Sequence, residues 1–139
     1  MRVFGKTEQK TTTGKNLYNV ANAIGNANTG IDISGNTIRV YSLTSDGTYH
    51  ATSKKDTLIL KAGVTYTISG EVTKYVSGIG NICIRDAKSW DRLGTYDKIT
   101  SNGKYSASYT PTADIEAFVS LIITQGTTGV MGDITFSSV

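Results

Sequence analysis

Between Val64 and Thr73 the chain alternates. Val64, Tyr66, Ile68 and Val72 fall on one side, and Thr65, Thr67, Ser69 and Glu71 on the other. A period of two marks a strand with one face on a core and one in water, as in an antiparallel sheet. Similar runs recur at short intervals. Thr37 to Leu43 predicts a strand with Ile38 and Val40 inward; Thr57 to Lys61 predicts another, and Ile79 to Arg85 a third with Ile82 and Ile84 inward. Lys104 to Thr110 places Tyr105, Ala107 and Tyr109 on one face, and Gly132 to Ser137 reads as the last strand. From Ala117 to Thr124 the apolar character is nearly continuous, which predicts a central strand covered on both faces.

The connections carry turn chemistry. Ala62-Gly63 precedes the alternating strand, Asn102-Gly103 is a hairpin-type signal, and Pro111 ends a strand because it has no N–H for the ladder. Residues 21–28 mix Ala and Ile with Asn and Gly and read as a loop. About eight strands result, with little or no helix, no internal repeat and no helix–strand alternation. The layer rules then leave an all-β antiparallel sandwich or a barrel. Residues 1–15 are polar and hold too little apolar surface for a core, so they read as an arm or linker before a domain over 16–139.

Composition narrows the function. Gly is frequent at 15, Pro occurs once and Tyr eight times, as expected of strands joined by glycine turns. The net charge of +3 is spread thinly, with Lys54-Lys55 the only adjacent basic pair, which argues against a nucleic-acid surface. No stretch approaches the roughly 20 apolar residues of a membrane span. The single cysteine, Cys83, cannot form an internal disulfide and reads as a small buried thiol. Catalysis finds little material. His50 is the only histidine and lies beside no nucleophile motif, and one His with one Cys falls short of a zinc site. Asp86 and Asp91 lie close in sequence but read as loop residues bonded to local backbone.

Three segments carry a family resemblance. Lys61 to Gly70 resembles the central Tyr-containing strand of jelly-roll carbohydrate-binding modules, Asn102 to Thr112 a second strand of those modules, and Thr128 to Val139 their closing strand. The start, Val3 to Gln9 followed by Thr12 to Tyr18, is similar to a segment that introduces appended sandwich domains in tail and baseplate proteins of phages infecting Gram-positive bacteria. The resemblance implies a jelly-roll sandwich that adheres rather than catalyses. It would sit at a virion's tail tip beside other phage tail proteins and hold cell-surface polysaccharide or teichoic acid outside the cell. A structural spacer or oligomerisation sandwich of the tail, with no ligand, is the competing reading.

The richest stretch for sugar recognition is Arg85 to Lys98, with the only Trp, a Tyr, two Arg and three Asp. Rings stack on the apolar face of a sugar, and Arg and Asp meet its hydroxyls. The candidate ligand residues are Trp90, Tyr96, Arg85, Asp86 and Arg92, with Tyr75 at a strand end and Tyr41 beside Arg39 on a sheet face. Two readings stay open for Trp90: an exposed stacking platform, or a cap on the core edge. Tyr41 could equally be a cross-strand partner. The resemblance also implies a structural calcium beside the last strand, with Asp133 as its acidic ligand. Calcium needs about six to eight oxygens, and neither chain end carries a dense acidic loop. No other cofactor is expected.

Overall fold

The computed structural model describes residues 18–47, 49–124, 128–129 and 131–139. The predicted arm over 1–15 lies outside them. Ten strands form: β1 (Thr29–Ser34), β2 (Thr37–Ser42), β3 (Leu58–Leu60), β4 (Tyr66–Ser77), β5 (Asn81–Asp86), β6 (Arg92–Leu93), β7 (Thr95–Tyr96), β8 (Gly103–Tyr109), β9 (Ile115–Ile122) and β10 (Asp133–Ser137). They make two antiparallel sheets, β1-β2-β10-β4-β8-β7 and β3-β9-β5-β6, packed face to face. The protein is thus an all-β sandwich of the jelly-roll type. Its helical content among the described residues is one 3-10 turn at Val20–Asn22, overlapping the start of the 21–28 stretch expected to be a loop. No helix among these residues is long and apolar enough to cross a membrane.

The core is built from the inward positions of both sheets. Ile38, Val40, Ile68, Val72, Ile134 and Phe136 of the larger sheet meet Leu60, Ile82, Ile84 and Leu121 of the smaller one. Strand β10 ends the chain yet sits in the middle of its sheet, between β2 and β4, and both Ile134 and Phe136 are fully buried. Strand β9 lies between β3 and β5 and is covered on both faces, as its continuous apolar run predicts. Cys83 is buried, and burial pushes its thiol up to about 12.

Three local expectations are corrected. Ten strands form rather than about eight: β1 (Thr29–Ser34) has no run of its own in the sequence pattern, and Arg92–Leu93 and Thr95–Tyr96 are two-residue strands too short to show a period. Val64 is exposed and sits in the turn closed by its N–H to the Lys61 carbonyl, so the alternating strand begins at Tyr66. Asn102-Gly103 is not a tight hairpin. Strand β4 carries two register shifts against β10, and the Asn102 amide serves the distorted backbone, accepting from Tyr75 N–H at 2.7 Å and donating to the Thr73 carbonyl at 3.2 Å.

Two features shape the edge of the smaller sheet. After β5 the chain reverses over residues 87–91, and Asp86 Oδ1 accepts from the N–H groups of Lys88 (2.7 Å) and Ser89 (3.1 Å). The chain then leaves the smaller sheet at Gly94 and joins the larger one as β7. Gly94 has φ +69, and a Cβ there would meet the Ser108 carbonyl oxygen at 2.0 Å, so both backbone and space require glycine.

Gly94→Ala is expected to lower the unfolding free energy by more than about 1 kcal/mol in urea titrations; unchanged stability would mean that the corner can relax. The backbone bonds to Asp86 hold its carboxyl below the usual carboxylate range, and Asp114, which accepts from Ala62 N–H and Lys61, is held low in the same way. Both contributions are complete above the unfolded Asp value of about 4 and are lost as pH falls below it, through the folded values. Wild type should therefore lose its stability advantage over Asp86→Ala as the pH is taken from 6 to about 2. An advantage independent of pH would show that the ionised carboxylate is not what holds the turn.

Candidate functional site

Inward Ile82 and Ile84 force Cys83 and Arg85 to the opposite face of β5, the outer face of the smaller sheet, because side chains alternate along a strand. On β9 the same alternation sends Phe118 outward. The reversal after β5 brings Arg92 of β6 directly opposite Arg85. The corner at Gly94 then carries Tyr96 up beside Arg92.

The outcome is an alternating stack of cations and rings. Lys54 Nζ lies 5.1 Å from the centre of the Trp90 ring. The Arg85 guanidinium lies 5.3 Å from Trp90, 5.6 Å from Phe118 and 5.9 Å from Tyr49. Arg92 lies 5.7 Å from Tyr49 and 4.8 Å from Tyr96. These separations are within cation–π range. Together with Asp91, Leu93 and Ile122, the side chains of Tyr49, Arg85, Trp90, Arg92 and Tyr96 line an open groove of about 510 Å³.

Trp90 answers to both of its sequence readings. Its ring meets Phe118 edge-on, with centroids 5.3 Å apart, and yet it is 36% exposed. Its backbone is left-handed at φ +67, uncommon for a bulky residue. The Trp90 carbonyl accepts from Arg85 Nε at 2.8 Å, and its N–H bonds to the Asp86 carbonyl. Arg85 is 6% exposed. Burial pulls its guanidinium below the usual arginine value, and the positive charge of Arg92 pulls the same way.

The structure splits the remaining candidates. Asp86 borders the groove's hairpin, but its carboxylate is engaged with local backbone, as the loop reading expects. Tyr75 stands at the end of β4 in the other sheet, packed on the core, with its hydroxyl donating to the Gly78 carbonyl at 2.6 Å. Tyr41 is also on the larger sheet. Its ring covers Gly30 on β1, the residue paired with it, and Arg39 stacks on it at 4.2 Å. It is the cross-strand partner of the alternative reading. Neither Tyr41 nor Tyr75 reaches the groove.

Asp133 does not fit a calcium ligand. Arg39 holds its two oxygens as a fork, Nε to Oδ1 at 3.0 Å and Nη2 to Oδ2 at 2.9 Å. A cation there would face a guanidinium. Among the described residues no three His, Cys, Asp or Glu side chains stand together as a metal site.

Tyr49, Lys54 and Phe118 are the participants that sequence reasoning missed. Tyr49 lies in the run read for His50, and Phe118 in a run read as core. His50 itself is buried, with Nδ1 3.1 Å from Thr124 Oγ1 and Nε2 3.5 Å from Asp46 Oδ1, and Thr124 is fully buried as well.

No family model matches the chain, and no curated protein matches it. A solved structure described as "CBM4 structure and function", a carbohydrate-binding module, aligns with a TM-score of 0.54 at 21% identity, covering 83% of this chain and 74% of that one. The likeness is one of fold: this chain shares the sandwich of that carbohydrate-binding module.

Proposed function

We propose that this domain is a non-catalytic glycan-binding module that holds polysaccharide or teichoic acid on a bacterial surface, carried at the tail tip of a phage infecting Gram-positive bacteria. The observation that carries the reading is the groove itself. Exposed faces of Trp90 and Tyr96 flank two arginines on a rigid sheet edge, the combination of apolar platform and planar donors that a sugar ring requires. The shared fold with a carbohydrate-binding module is consistent with it, although fold alone does not fix function. The phage setting rests on the resemblance of residues 3–18, most of which lie outside the described residues. A non-catalytic role agrees with a sole histidine that is itself buried, its ring held between fully buried Thr124 and partly exposed Asp46. Each site would be weak, and many copies on one particle would supply avidity.

The test is binding of the purified domain to cell walls from a panel of Gram-positive bacteria. Strain-selective binding is expected, falling about tenfold or more, or some 1.4 kcal/mol, in Trp90→Ala and in Tyr96→Ala. Tyr96 is exposed at the sheet edge, so its variant should melt with the wild type. Selective binding kept by both variants would move the site elsewhere. A folded domain that binds no wall would favour the spacer reading.

A further inference from the structure

We infer that the groove is built for an oxyanion carried on a sugar, so that the ligand is an acidic glycan: the geometry points to a carboxylate or phosphate seated between Arg85 and Arg92. The inference rests on the glycan-binding reading and narrows it.

The two arginines are direct partners in the antiparallel β5–β6 ladder. Like charges placed opposite one another destabilise a sheet. A structural arginine would come with a carboxylate, and the protein provides one where it needs it: Arg39 is held by the Asp133 fork and faces Asp32 at 3.5 Å. Among the described residues no carboxylate lies within 4 Å of Arg85 or Arg92. Asp91 lines the groove but remains beyond that distance. Arg85 is nevertheless almost wholly removed from water, with Nε donating to the Trp90 carbonyl and no carboxylate to neutralise its charge, and Arg92 Nη1 is buried without a hydrogen-bond acceptor among the described residues. A desolvated charge and a donor left unmatched are costly, and an arriving oxyanion removes that cost.

The rings set the arrangement. Tyr49 contacts both guanidinium groups, Trp90 backs Arg85, and Tyr96 backs Arg92. Rings crowded around each guanidinium limit its freedom, which suits capture of a carboxylate or of phosphate oxygens by the arginine donors. Lys54, whose Nζ lies 5.1 Å from the Trp90 ring centre and donates to the Ala87 carbonyl, adds a third positive charge nearby. A neutral sugar would use the rings and leave the cations unmatched.

Affinity electrophoresis of the domain through gels holding polygalacturonate, wall teichoic acid, the neutral β-glucan laminarin or poly(dT) tests this. Retardation by polygalacturonate, by teichoic acid or by both is expected, marking carboxylate or phosphate as the anion. It should weaken severalfold as salt rises, with laminarin and poly(dT) inert. Arg92→Gln should lose at least about tenfold in affinity while its melting temperature stays equal or rises, since a like-charge pair has gone. A residue that only supported the fold would lower both. Independently of any variant, glucuronate or glycerol 3-phosphate should raise the wild-type melting temperature above that in sodium chloride of equal ionic strength, and glucose should not. Retardation by laminarin that Arg92→Gln leaves intact would overturn the acidic ligand and keep the glycan reading. Retardation by poly(dT) alone, or by nothing, with no stabilisation by the anions, would overturn both.

Discussion

Everything at the candidate site depends on one constraint on β5: a strand cannot bury one set of side chains without aiming the other set the opposite way. Ile82 and Ile84 are buried in one core cluster with Ile68, Val72, Leu121 and Phe136. A slip of one residue would turn both isoleucines out and Arg85 in, which the core forbids. The register of the core therefore fixes the direction of an arginine that the core does not itself need. Strand β9 repeats the logic, with Leu121 inward and Phe118 outward under Trp90.

The second half of the site depends on a change of sheet. Arg92 belongs to the smaller sheet and Tyr96 to the larger, and Gly94 is the corner between them. Two two-residue strands would be marginal alone. Here they are tied to β5 on one side and to β8 on the other, so the hairpin bearing Trp90 and the edge bearing Tyr96 share one framework. Preorganised rings and guanidinium groups lose little freedom on binding, which is how a shallow groove can be selective.

Much of the fold was legible because the sandwich imposes a period. The alternation of Tyr66, Ile68 and Val72, the inward pairs Ile38–Val40 and Ile82–Ile84, and the doubly covered run around Leu121 all appear as expected. What was not legible lacks a period. The strands at Arg92 and Thr95 are too short to show one, and Asn102 serves backbone that only the distorted β4 creates. For the site, the local cluster of Arg85, Trp90, Arg92 and Tyr96 could be read because those residues lie within one segment. Tyr49, Lys54 and Phe118 come from elsewhere in the chain and meet it only through sheet pairing. Tyr41 and Tyr75 lie away from the groove although their chemistry suits a sugar: strand pairing lays Tyr41 over Gly30, and a local bond ties the Tyr75 hydroxyl to the Gly78 carbonyl.

The central claim is that the stacked groove on the smaller sheet, rather than the face around Arg39 and Tyr41, is where a glycan is held. Side-chain NMR tests it most directly, by following the Nε–H signals of the arginines and the Trp90 indole during titration with fragments of Gram-positive wall polysaccharide. The account predicts that Arg85, Arg92 and Trp90 shift together and saturate at one ligand concentration while Arg39 stays still. Saturable shifts at Arg39 with the groove signals unmoved would contradict it.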